Sequence, residues 1–155
     1  ASAGRFSTTA PTHALTVRPD VATSRLDSER VAELRHSLAE ILVTGDGERI
    51  IAAYLALARG LLEEHAPRAA ASELEQAVER LTVAADAGHP APSLWCVLVS
   101  LAALYGHLGE SSRARELARA AHEQAIRSRS QVGQERAKAL FARLVRGAAL
   151  ACGAS

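Results

Sequence analysis

The 155-residue chain has no methionine, no asparagine, one lysine (Lys138), two cysteines and only 3% aromatic residues against 48% hydrophobic ones. Each shortage excludes something. With so few rings the core has to be aliphatic, and no row of aromatics exists on which single-stranded bases would stack. Cys96 and Cys152 are too far apart for a metal-ligand pair and lie in segments with helical patterning, where a cysteine behaves as a small buried hydrophobe. Alternating runs of valine and isoleucine are missing, so no strand can be placed. No stretch of about 18 apolar residues suggests a membrane span. The first residues lack the basic-then-apolar order of a secretory leader, and a cytoplasmic location is the expectation. A chain without methionine even at position 1 is expected to be processed or to be a piece of a larger protein. Arginine stands almost everywhere that lysine could, beside abundant alanine, a composition expected of a GC-rich bacterial genome.

The motifs that carry chemistry are missing as well. There is no HExxH, CxxC or acidic calcium loop, no GxSxG elbow, and no glycine-rich phosphate loop. Six histidines (His13, His36, His65, His89, His107 and His122) are scattered, with no two at metal-ligand spacing on one helix. His36, in ELRHSLAEIL, has the setting of a helical phosphoacceptor, but its neighbours fit no phosphotransfer motif and it reads as a surface histidine. Glu63-Glu64 reads as a solvated pair at a helix end. The expectation is a chain with no catalytic residues, no metal and no cofactor.

What is present is helix. Alanine and leucine dominate, and both favour helices, which makes this an all-α protein. Residues 1–26 are rich in small polar residues and proline and form a tail or linker, in which HALTV has the pattern of an extended strand; residues 27–155 form the helical domain. The first helix is expected from Ser28 to Val43, capped by Asp27 or Ser28, with Val31, Leu34, Leu38, Ile41 and Leu42 as its apolar stripe and Gly45 and Gly47 at its end. The second, Glu48 to Glu64, is apolar around most of its girth and therefore central. Pro67 opens the third, which runs to Ala87 and is stopped by Gly88. The fourth runs from Ser93 to His107 and ends at Gly109. Ser111 or Ser112 caps the fifth, which reaches Arg127. The sixth runs from Ser130 to Ala151, with Gly133 and Gly147 as weak points and Gly153 just beyond it.

Residues 100–125, SLAALYGHLGESSRARELARAAHEQA, hold one helix, a glycine turn and a second helix. Leu101, Ala102 and Tyr105 share a face of the fourth helix; Ala114, Ala118 and Ala121 share a face of the fifth, and such small residues allow two antiparallel helices to approach closely. With Gly109 at the turn, this unit resembles the tetratricopeptide repeat. Leu57, Ala58, Leu61, Ala70, Leu74 and Ala77 give a weaker copy, with His65 in place of the turn glycine. Leu140, Phe141 and Leu144 begin a third. The spacings, 44 residues from Leu57 to Leu101 and 39 from Leu101 to Leu140, exceed the usual period of about 34 and are similar to those of long-helix bacterial variants. The architecture expected is a short stack of antiparallel hairpins, about six helices in all.

The resemblance implies a concave groove lined by the first helix of each hairpin. By register it would be formed by Ala52, Leu55, Arg59, Leu62 and Glu63 of the second helix, Cys96, Val99, Ala103 and His107 of the fourth, and Glu135, Lys138, Ala142 and Arg146 of the sixth. A carboxylate clamp of lysine and asparagine, known in the family, has no asparagine to use here. Arg59, Lys138 and Arg146 would instead engage acidic side chains. Between Arg113 and Arg146 nine basic residues face three acidic ones, and this excess of positive charge suits an acidic partner. No element looks like a nucleic-acid reading helix. These readings point to a non-catalytic protein–protein interaction module of a larger bacterial regulatory or signalling protein. A sensory domain for a small ligand or peptide, a homodimerisation domain, and a groove filled by residues 5–20 of the tail, from the same chain or a neighbour, remain open beside it.

Overall fold

The computed structural model describes residues 29–153 of the chain, with side chains to residue 148. The expected tail, its HALTV segment and the caps Asp27 and Ser28 lie outside the described residues. Six helices account for the structure: α1 (29–44), α2 (Gly47–Glu63), α3 (Pro67–Asp86), α4 (Leu94–His107), α5 (Ser111–Arg127) and α6 (Gln131–Gly153). No strand occurs among the described residues.

Four of the turns share one construction. The backbone amide of Ala66 donates to the carbonyl of Leu61 (2.9 Å), His89 to Ala84 (2.8 Å), Glu110 to Tyr105 (2.9 Å) and Ser130 to Ala125 (2.8 Å). The residue before each donor has positive φ: His65 (58°), Gly88 (93°), Gly109 (83°) and Arg129 (58°). This is the left-handed cap that satisfies the last carbonyls of a helix. At Gly88 and Gly109 the missing Cβ makes the conformation inexpensive; at His65 and Arg129 a side chain tolerates it. Helices α2, α3, α4 and α5 are therefore stopped in the same way, and the following helix packs back against each of them.

The starts of the helices are less uniform. Asp46 caps α2, its side chain accepting from the Arg49 amide (2.9 Å), so Gly47 opens α2 rather than closing α1. Pro67 takes the first turn of α3, where no amide hydrogen is needed. The expected serine cap of α5 is not formed: Ser111 is already helical, and the Glu110 side chain at the cap position makes no bond to the helix. Ser93 flanks α4 without a side-chain bond to its own helix. Its amide and hydroxyl instead donate to Glu48 of α2, at 3.2 and 2.5 Å. A carboxylate there complements the positive end of α4. Ser130 Oγ accepts from the Gly133 amide (3.0 Å) and holds the start of α6. The helix continues through Gly153, two residues past the expected end.

Helices α2 and α3 form one hairpin, α4 and α5 the next. Helix α4 also packs on α3, and α6 on both α5 and α4, while α2 touches α4. Helices α2, α4 and α6 thus lie side by side in one layer, with α3 and α5 behind them. The residues of the hairpin pattern form the core: Leu57, Ala58, Leu61, Ala70, Leu74 and Ala77 in one hairpin, Leu101, Ala102, Ala114 and Ala121 in the other, and Leu140 in α6 are all buried. Alanines at the α3 and α5 interfaces bring the axes close, and the leucines opposite fill the space between them. Helix α1 covers the free edge of α2. A Cβ on Gly60 would lie 2.8 Å from Leu34 Cδ1, so the two helices approach closely there. Arg35 of α1 pairs with the nearly buried Glu73 of α3. The sixth helix makes an equally close approach at Gly133, which faces Trp95 and Ala125. Gly133 is a packing position, not a weak point.

Candidate functional site

Helix α2 turns Ile51, Tyr54, Leu57 and Leu61 inward, which leaves Leu55, Arg59 and Leu62 on the side toward α4. Helix α4 buries Val97, Leu98, Leu101 and Leu104 and leaves Ala103 and His107 on its outer side. Between the two helices lies a cavity of about 540 Å³ lined by Leu55, Ala58, Arg59, Leu62, Ser100, Ala103, Leu104 and His107, with Leu74 of α3. Five residues assigned by register from the sequence meet here: Leu55, Arg59, Leu62, Ala103 and His107. Ala58, Ser100, Leu74 and Leu104 were not among them. Ala58, Leu74 and Leu104 are buried residues whose outer edges form part of the wall, a dual role that periodicity does not reveal.

The walls are mostly aliphatic, and the polar groups sit on Arg59, Ser100 and His107. Arg59 and His107 are exposed, and neither side chain makes a hydrogen bond or ion pair with another described residue. An aliphatic slot with unpaired cationic or titratable groups favours a ligand with apolar side chains and a carboxylate.

The other assigned residues lie elsewhere. Ala52 lines a separate cavity of about 320 Å³ against Leu34, Ser37 and Ile41 of α1. Glu63 is exposed and 3.7 Å from Arg30. Val99 is partly buried against the core. Cys96 is half-buried in α4. Burial pushes its thiol above the ordinary range; the positive charge of Arg136 opposes this, and the negative charge of Glu48 adds to it. Arg136, which the register did not select, is thus the α6 residue whose charge reaches the α4 face. Glu135, Ala142 and Arg146 are exposed on the side of α6 away from its buried line of Gly133, Ala137 and Leu140. Lys138 lines a third cavity, between α5 and α6, with Arg119, His122, Glu123 and Phe141. The buried line of α6 packs on the neighbouring helices, with Gly133 against Trp95 of α4 and Ala125 of α5.

The basic C-terminal stretch is only partly neutralised. Arg113 approaches Glu75 (3.5 Å) and Glu116 (3.8 Å), and Glu75 also accepts from the Tyr105 hydroxyl (2.7 Å). That bond is the main cause of the raised Tyr105 phenol pKa. A larger cavity, about 1060 Å³, lies between the start of α2 and the end of α3 and includes Asp46, Glu79, Arg80 and His89; its Asp46 carboxylate is engaged in capping α2. No group of three or more metal-ligating side chains occurs among the described residues, and no described helix is long and apolar enough to cross a membrane.

No protein-family model, curated protein or solved structure matches the chain.

Proposed function

We propose that this chain is a non-catalytic protein–protein interaction module of the tetratricopeptide-like kind, serving a larger bacterial regulatory or signalling protein. Its α2–α4 cavity receives a partner segment carrying aliphatic side chains and a nearby carboxylate. One observation supports this reading above the others: the aliphatic walls of Leu55, Leu62 and Ala103 stand beside Arg59, which has no ion-pair partner among the described residues. The carboxylate pairs with Arg59, and the aliphatic side chains cover surface that is otherwise left to water. Such a segment gains specificity from the charge and most of its affinity from the walls.

The test is selection from a random twelve-residue peptide library on the immobilised chain. The expected consensus has two aliphatic positions and an acidic residue at fixed spacing. Arg59→Glu and Leu62→Asp should each weaken the selected peptides at least about tenfold, the loss of roughly 1.4 kcal/mol, while the helical circular dichroism signal stays the same. Peptides with no acidic preference, or equal binding to both variants, would overturn the reading.

A further inference from the structure

We infer that the cavity between α5 and α6 is a second binding site, for a small carboxylate with an apolar body such as a short aliphatic or aromatic acid. The cavity measures about 290 Å³ and is lined by Ala118, Ala137 and Phe141 on its apolar side and by Arg119, His122, Glu123 and Lys138 on its polar side. That volume, at the lower end of small-molecule sites, fits a ligand of about the size of benzoate.

Three nitrogen groups around this space lack partners. His122 Nε2 has no hydrogen-bond partner and no contact with solvent; burying a polar atom in that state is unfavourable, and such atoms call for an explanation. Lys138 and Arg119 form no ion pair with any described carboxylate. The Arg119 guanidinium carbon lies 5.1 Å from the centre of the Phe141 ring. This cation–π contact leaves guanidinium N–H groups for a carboxylate. Glu123 is the one acid in the lining, so with His122 neutral the site carries a net charge of about one positive unit. A carboxylate head accepts from Lys138 and Arg119, its apolar body rests on Phe141 and the two alanines, and the His122 ring forms the wall beside it. The site is independent of the α2–α4 groove and of its proposed partner.

Benzoate is the probe, titrated into the full chain and followed by the NMR signals of the His122 ring, which are identified from their loss in His122→Phe. The expected result is a saturable shift with a millimolar Kd. Arg119→Gln and Lys138→Gln, both at exposed side chains, should each weaken it about tenfold through loss of a charge-assisted hydrogen bond, and Lys138→Gln should do so with an unchanged melting temperature. Arg59→Glu should leave it unaltered, which separates this site from the groove. Absence of a saturable His122 shift overturns the proposal. So does equal binding of benzyl alcohol, which would make the cavity merely apolar, or equal binding of inorganic phosphate, which would make it a general anion patch. Unaltered affinity in both charge variants has the same consequence.

Discussion

The indole of Trp95 in α4 occupies the space that a side chain on Gly133 of α6 would need. A Cβ built on Gly133 would lie 2.7 Å from Trp95 Cδ2, 2.8 Å from Cε2 and 2.9 Å from the Ala125 Cβ. Three helices therefore meet at one hydrogen atom. This contact fixes the rotation of α6, and with it which of its residues face α5.

Gly133→Val should be destabilising by about 1–3 kcal/mol, the usual cost of overpacking a tight contact, and should lower the melting temperature accordingly. Valine is the informative choice, because alanine would regain about 1 kcal/mol of helix propensity and blur the result. Combining it with Trp95→Leu should recover part of the loss, since the smaller side chain makes room. A melting temperature unaffected by the valine would show that α6 does not depend on this approach.

The four left-handed turns give a prediction of opposite signs. His65 and Arg129 adopt positive φ with a side chain present, at a cost of about 1–2 kcal/mol each. Glycine removes that cost and returns about 0.5–1 kcal/mol of it as extra freedom in the unfolded chain. His65→Gly and Arg129→Gly should therefore raise stability by up to about 1 kcal/mol, and Gly109→Ala should lower it by about 1 kcal/mol. An added Cβ at Gly109 meets nothing within 4 Å, so the effect is one of backbone conformation alone. Urea midpoints with a constant slope decide the matter; a loss of stability in both glycine variants would count against the strain argument.

Burial raises the pKa of Cys96, Glu48 adds to the rise and Arg136 opposes it. The thiolate is the reactive form, so in a Cys152→Ser background Cys96 should react with a disulfide reagent more slowly than free cysteine at pH 8. Its rate profile should be displaced to higher pH. Glu48→Gln should move the profile back toward the ordinary range, and Arg136→Gln should move it further up. Reaction as fast as free cysteine at pH 8 would contradict the assignment.

Most of the helices were legible because their ends carry residues with one conformational meaning. Pro67, Gly88 and Gly109 stop or start helices through fixed φ or a missing Cβ, and they do so here. The turns at His65 and Arg129 were harder to read, since neither residue type signals a left-handed backbone. Ser111 and Ser112 misled for the opposite reason: serine favours a cap but also sits in a first helical turn. The slot between α2 and α4 was visible as a face opposite each buried line. The placement of α6 was not, because Gly133 reads as a weakness along the sequence and becomes a contact only when Trp95 is brought to it from 38 positions away.

Within α2 to α6, no helix packs against one more than two places along the chain. Each structural decision is therefore local. A hairpin gains its principal contacts before the chain beyond it is in place, and loop closure over long distances is never required. Order should spread from whichever hairpin forms first, as in other linear arrays. Damage should travel the same way: a lesion at α6 loosens α5 and α4 and leaves the α2–α3 hairpin for last. Amide protection in hydrogen exchange would accordingly grade along the chain and would not be lost in a single step.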